Sequence, residues 1–156
     1  MVTVLIDGGA DVNQSGSGSQ TALHLVASFE MDDPIASVTA LIEAEVDVNA
    51  IDSDRMTPLH IASLNGRDDI VKLLIKADAA IDCRDEGGNT PLHLAAENGH
   101  SEIVAMLINS EARLNITNDE GSTPLACAME MDYPEIVEML VHAGAYEFVR
   151  ASKGIR

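Results

Sequence analysis

Apolar residues return every three or four positions in three long stretches: Ile70-Val71-Lys72-Leu73-Leu74-Ile75, Ile103-Val104-Ala105-Met106-Leu107-Ile108 and Ile136-Val137-Glu138-Met139-Leu140-Val141. That spacing lines one face of a helix, so each stretch predicts an amphipathic helix. Before each lies a shorter apolar run that opens on Thr-Pro-Leu, and a break rich in Gly, Asp or Pro divides the two. Thr before Pro suits a helix start. The hydroxyl can accept a free backbone N–H, and Pro at the first helical position loses no helical hydrogen bond. Thr57, Thr90 and Thr123 are therefore expected to cap short first helices, each followed by a longer second helix.

The short runs are copies of one another. Thr57-Pro58-Leu59-His60-Ile61-Ala62, Thr90-Pro91-Leu92-His93-Leu94-Ala95 and Thr123-Pro124-Leu125-Ala126-Cys127-Ala128 lie 33 residues apart, and a looser copy, Thr21-Ala22-Leu23-His24-Leu25-Val26, lies 36 residues before the first. Val12-Asn13, Val48-Asn49, Ile81-Asp82 and Leu114-Asn115 keep the same register, their Asn or Asp preceding the next threonine by eight residues. A fixed period of this length marks stacked repeats. A stack exposes equivalent positions of neighbouring units along one surface, which predicts binding in place of chemistry. The longer first spacing comes from three extra residues within Phe29-Glu30-Met31-Asp32-Asp33-Pro34. Pro34 is expected to open the second helix of that unit, and the insertion reads either as a specificity loop or as a tolerated terminal variation.

The motifs Thr90 to His93, Asn98 to His100 and Gly9 to Asn13 resemble the TPLH, NGH and GADVN motifs of ankyrin-repeat proteins, and the resemblance spans essentially the whole chain. It implies an all-α repeat solenoid of helix-turn-helix units joined by β-turn fingers, about four repeats with a partial N-terminal unit. It also implies that His24, His60 and His93 bridge backbone groups through both ring nitrogens. Ala126 cannot do so, and the last unit is expected to be less tightly tied. The expected organisation is a single domain over 1–156: a partial repeat at 1–13, repeats at 14–49, 50–82 and 83–115, and a fourth repeat with a C-terminal cap at 116–156. The beginning reads as the end of a second helix, as if cut from a longer protein. Tyr146 and Phe148 are the expected capping aromatics.

After a second helix, glycine suits a left-handed backbone. Glycine is present there at Gly9 and Gly144, but Glu45, Asp78 and Glu111 take the place in the inner units, and Arg55 replaces the finger glycine matched by Gly88 and Gly121. Where the backbone there is left-handed, each substitution costs up to about 1 kcal/mol relative to Gly. The Ser15-Gly16-Ser17-Gly18-Ser19 finger lacks the acidic anchor expected at its centre and should be the most mobile.

Charge narrows the partner. With 26 acidic and 9 basic residues the net charge is -17. This opposes nucleic acid, which needs Lys and Arg to replace its counterions, and anionic membrane surfaces. No run approaches the roughly 20 apolar residues of a bilayer span. The protein is expected to be intracellular, cytoplasmic or nuclear, and monomeric. The acidity either keeps a rod soluble or steers a basic partner.

In ankyrin proteins the finger tips and the ends of the first helices form the binding face. Residue by residue, the resemblance places there Ser53, Asp54, Met56, Leu64 and Asn65; then Glu86, Asn89, Glu97 and Asn98; then Asp119, Glu120, Ser122, Glu130 and Met131, with Phe29 and Met31 from the first unit. Met56, Leu64, Met131, Phe29 and Met31 form an apolar strip edged by carboxylates. It fits a protein or peptide with Leu/Phe-type anchors and Lys/Arg flanks.

Catalysis finds few parts. The pairs Asp32-Asp33, Asp68-Asp69 and Asp119-Glu120 are adjacent in sequence, so they diverge on a helix or lie solvated in turns. There is no phosphate loop or nucleophile elbow. Cys83 and Cys127 are expected to be free thiols, and no His or Cys spacing suggests a metal; no cofactor is expected. Two alternatives stay open: a structural spacer, or a modification substrate. Asn13 and Asn49 resemble ankyrin asparagines that are hydroxylated, having Leu5 and Leu41 eight residues earlier and Asp-Val directly before. Simple turn bonding by Asn is the competing reading.

Overall fold

The computed structural model describes residues 11, 13–29 and 33–146. Among them are eight α-helices and no strand: α1 (Ala22–Ser28), α2 (Pro34–Glu43), α3 (Pro58–Leu64), α4 (Asp68–Lys76), α5 (Pro91–Glu97), α6 (Ser101–Asn109), α7 (Pro124–Glu130) and α8 (Pro134–His142). The short helices α1, α3, α5 and α7 pack on one another in a row, and the longer α2, α4, α6 and α8 form a second row behind them. This is the expected all-helical solenoid. Its core is a series of thin aliphatic layers: Leu59, Leu74, Leu92, Leu107 and Leu140 are fully buried, while Ala62, Ala95 and Ala128 let the short helices approach closely.

The helix starts follow the sequence logic. Thr57 and Thr123 accept the backbone N–H of the third helical residue, and proline fills the first position of α2, α3, α5, α7 and α8. Pro34 opens α2 as expected, with Asp33 accepting from Ala36 N at 2.9 Å. Residues 30–32 of the segment that holds the insertion lie outside the described residues, as do Gly9 and residues 147–156 of the expected cap.

Three rows of hydrogen bonds join successive units. In the first, the Thr57 N–H donates to His60 Nδ1 at 3.1 Å, and His60 Nε2 reaches Asn89 O in the next finger at 3.1 Å. His24 reaches Met56 O at 3.0 Å and His93 reaches Ser122 O at 3.1 Å in the same manner. Because Nδ1 accepts and Nε2 donates, the geometry selects the neutral Nε2–H tautomer. In the second, the asparagine row works as an acceptor: Asn13, Asn49, Asp82 and Asn115 take the N–H of Asp47, Ala80, Arg113 and Tyr146 at 2.7–3.0 Å. The third joins finger to finger, Ser53 N to Gly18 O at 2.8 Å, Glu86 N to Asp54 O at 2.9 Å and Asp119 N to Gly87 O at 3.0 Å.

The left-handed positions are where the sequence placed them. Glu45, Arg55, Asp78 and Glu111 have φ of 58°, 59°, 60° and 63°. At the helix–helix turns the need for glycine is spatial as well. A Cβ on Gly66 would come within 2.6 Å of the His100 ring, and one on Gly99 within 2.8 Å of Tyr133. The NGH motif is thus a stacking device, and His100 Nε2 bonds Leu64 O at 3.0 Å across it.

Candidate interaction face

Three of the fingers are each closed by a side-chain anchor. Asp52 Oδ1 accepts from Asp54 N and Met56 N, both at 2.9 Å; Asp85 Oδ1 accepts from Asn89 N at 2.7 Å; Asn118 Oδ1 accepts from Ser122 N at 2.9 Å. Gly16 occupies the corresponding place in the first finger, which keeps only its backbone closure, Gly16 N to Gln20 O at 2.8 Å. Asn118 Nδ2 also donates to Asn89 Oδ1 at 2.9 Å, tying fingers three and four side chain to side chain.

Between those two fingers and the helices α5 and α7 lies a concave pocket of about 440 Å³. Its wall brings together seven of the residues expected on the binding face: Asn89, Glu97, Asp119, Glu120, Ser122, Glu130 and Met131. Glu97 and Glu130 occupy equivalent ends of their short helices, so their carboxylates flank the pocket one unit apart, both exposed. Met131 is the apolar element, 48 % exposed.

The remaining expected residues do not line this pocket. Phe29 and Leu64 are exposed at the ends of α1 and α3, at 61 % and 36 %, and supply the apolar half of the row. Ser53, Asp54, Asn65, Glu86 and Asn98 are exposed, and Asn98 Nδ2 bonds Leu94 O at 2.8 Å. Met56 differs from the expectation: its side chain packs against the core, because both its N–H and its carbonyl are held by Asp52 and His24. Asn89 and Ser122 are half-buried parts of the finger framework. Met31 lies outside the described residues.

Cys127 and Arg84 belong to this region without having been singled out for it. Cys127 forms part of the pocket wall, and burial first, then the charges of Glu97, Glu130 and Glu120, push its thiol from 9.0 to about 11. At neutral pH it is a protonated, unreactive thiol. Arg84 donates to Gly88 O at 3.1 Å and Thr117 O at 2.9 Å and pairs with Asp119 at 3.3 Å, spanning two fingers. A lone cation just before an acidic finger is the only sequence signal that could have marked it. The Arg84 and Asp119 side chains are 47 % and 66 % exposed, so the pair orients the finger more than it stabilises it.

The other candidate chemistry disperses. Asp33 is a helix cap, and Asp68, raised by desolvation and by the charge of Glu102, sits in the first turn of α4. Cys83 and Cys127 are free. Among the described residues no three His, Cys, Asp or Glu groups are placed to hold a metal, and no helix is long and apolar enough to cross a membrane. The Asn13 and Asn49 side chains are exposed, with each Oδ1 engaged by a backbone N–H.

A family model described as ankyrin repeats (3 copies) matches residues 69–150, and one described as ankyrin repeats (many copies) matches residues 41–95. A search of the curated proteins found no match. Ankyrin repeats generally mediate protein–protein interaction and are typically non-catalytic. The period, the histidine and asparagine rows and these matches agree: the chain belongs to the ankyrin-repeat family.

Proposed function

We propose that this chain is a non-catalytic interaction module that binds a partner protein or peptide through the face of fingers and short helices. The observation that carries this reading is the acid-lined pocket between fingers three and four. Glu97, Asp119, Glu120 and Glu130 surround it, and Met131 provides an apolar contact. A Lys or Arg side chain meets carboxylates there, while Phe29 and Leu64 offer apolar contact further along the row. The fitting partner segment is therefore basic with Leu/Phe-type anchors. The net charge of -17 speaks against nucleic acid and anionic membrane as partners. The module acts as a monomer inside the cell, in the cytoplasm or nucleus, over the repeats proposed from the sequence.

The test pairs capture with direct titration. The intact chain and a Leu64→Arg/Met131→Arg variant are used to capture proteins from a lysate, and any protein captured is then titrated against both at low and raised salt. Both side chains are exposed, so the variant should keep its melting temperature, with stability changed by about 0.5 kcal/mol or less per site. Binding to the intact chain, weakened by salt and lost in the variant, is the expected result. Equal affinity for both would move the site away from this face.

A further inference from the structure

Lys72 and Lys76 are an exception on an acidic surface. They lie one turn apart on α4, so their ammonium groups share one helix face, and both are exposed. Neither has a hydrogen bond or ion pair with a described residue, whereas Arg67 bonds Phe29 O and Arg84 is held across two fingers. The equivalent positions of the other long helices are Thr39 and Glu43 in α2, Ala105 and Asn109 in α6, and Glu138 and His142 in α8. The cation pair is therefore a property of this unit and not of the repeat. Lys76 in the last turn complements the helix dipole, but that accounts for neither Lys72 nor the shape beside it.

Beside the two lysines, α4 and α6 enclose a groove of about 360 Å³ lined by Lys72, Ile75, Lys76, Met106, Asn109 and Ser110. Its floor is Ile75 and Met106, both only partly buried although they pack against the core. None of its residues lines the acidic pocket, which is built from fingers and short helices. We propose that this groove is a second docking surface, whose occupant is an acidic segment of a partner protein with one apolar anchor. The anchor lies between Ile75 and Met106, and carboxylates on its flanks meet Lys72 and Lys76. The two faces then select segments of opposite charge, so one chain can hold two different partners at once. Asp68, Asp69 and Glu102 lie at the helix starts, and Asp78 and Glu111 follow Lys76 and Ser110 in the turns beyond; none of these acids lines the groove.

The probe is an acetylated and amidated peptide of Asp, Glu and Ala with a single central Leu, titrated into the isotope-labelled chain while backbone amide shifts are followed. Shifts confined to residues 72–76 and 106–110 are expected. A Lys72→Glu/Lys76→Glu variant should weaken the peptide on the order of tenfold, as for two exposed ion pairs turned repulsive. Replacing the central Leu by Ala should weaken it on the unaltered chain, and Met131→Arg should leave it unchanged. No shifts, shifts on the finger face, or equal affinity for the Leu-free peptide would each overturn the proposal. So would the same shifts on raising protein concentration alone, which would make the occupant a second copy.

Discussion

The third and fourth units share the start Thr-Pro-Leu and diverge at the next residue, His93 against Ala126. His93 closes its own helix start on Thr90 and reaches Ser122 O, so finger four is held from the unit before it. Ala126 leaves only the Thr123 cap, whose Oγ1 accepts from Ala126 N at 3.2 Å. Finger three is bonded on both sides, to Asp54 O through Glu86 N and to Asp119 N through Gly87 O. The acidic pocket lies between these two fingers. Residues that repeat faithfully therefore bind one unit to the next, and residues that vary at the same register, such as Leu64, Glu97 and Glu130, give the surface its chemistry.

That contrast can be tested most strongly in the core. Leu92→Ala should cost about 3 kcal/mol, as for other fully buried leucines. The equivalent Leu125→Ala should cost less, because its helix has the Thr123 cap without a histidine tie and relaxes more easily around a cavity. Urea unfolding of the two variants measures the difference, and equal losses would contradict a graded stack.

The histidine tie comes next. His93→Ala removes both the helix cap and the bond to finger four, for an expected loss of about 1–2 kcal/mol. Amide exchange should quicken in finger four more than in finger three. A uniform change across both would mean that the histidine tie is not local.

The inner histidines also set a pH dependence. Desolvation by burial is the largest influence on both His60 and His93 and lowers each below the ordinary 6.5, against the raising effect of the carbonyls that accept from Nε2. A lowered histidine favours the neutral form in the fold, so below 6.5 the unfolded chain binds more protons. This contribution is intact above 6.5 and declines as pH falls below it. Urea midpoints at about pH 7.5 and about pH 5.5 should show a drop that shrinks in a His60→Gln/His93→Gln variant. An unchanged drop would assign the acid sensitivity to other groups.

The smallest expected effect runs the other way. Ala126→His should complete the cap on Thr123 and stabilise the fourth unit by less than about 1 kcal/mol. A loss of stability would show that the site has no room for the ring.

Much of the fold was legible because short-range rules govern it. Thr57 and Pro58 mark a helix start whatever surrounds them, and the three-and-four spacing of Ile103, Val104 and Leu107 names the buried face, all three fully buried. The site was legible only in outline. Register grouped Glu97, Glu130 and Met131, which line one pocket, but Met56 packs against the core, since the bonds made by its backbone in the finger settle where its side chain points. Arg84 was not foreseen, because its contacts with Thr117 and Asp119 link residues more than thirty positions apart.

The sequence by itself determined the repeat, the helix pairs, the capping residues, the left-handed turns and the acidic surface, since each depends on local backbone preference, on periodicity or on summed charge. Only the tertiary structure decided which carboxylates share a pocket, that Cys127 lies in its wall, and that Lys72 and Lys76 flank an apolar groove. Those relations arise from stacking one unit on the next at close-packed distance, which brings together side chains that no local rule connects.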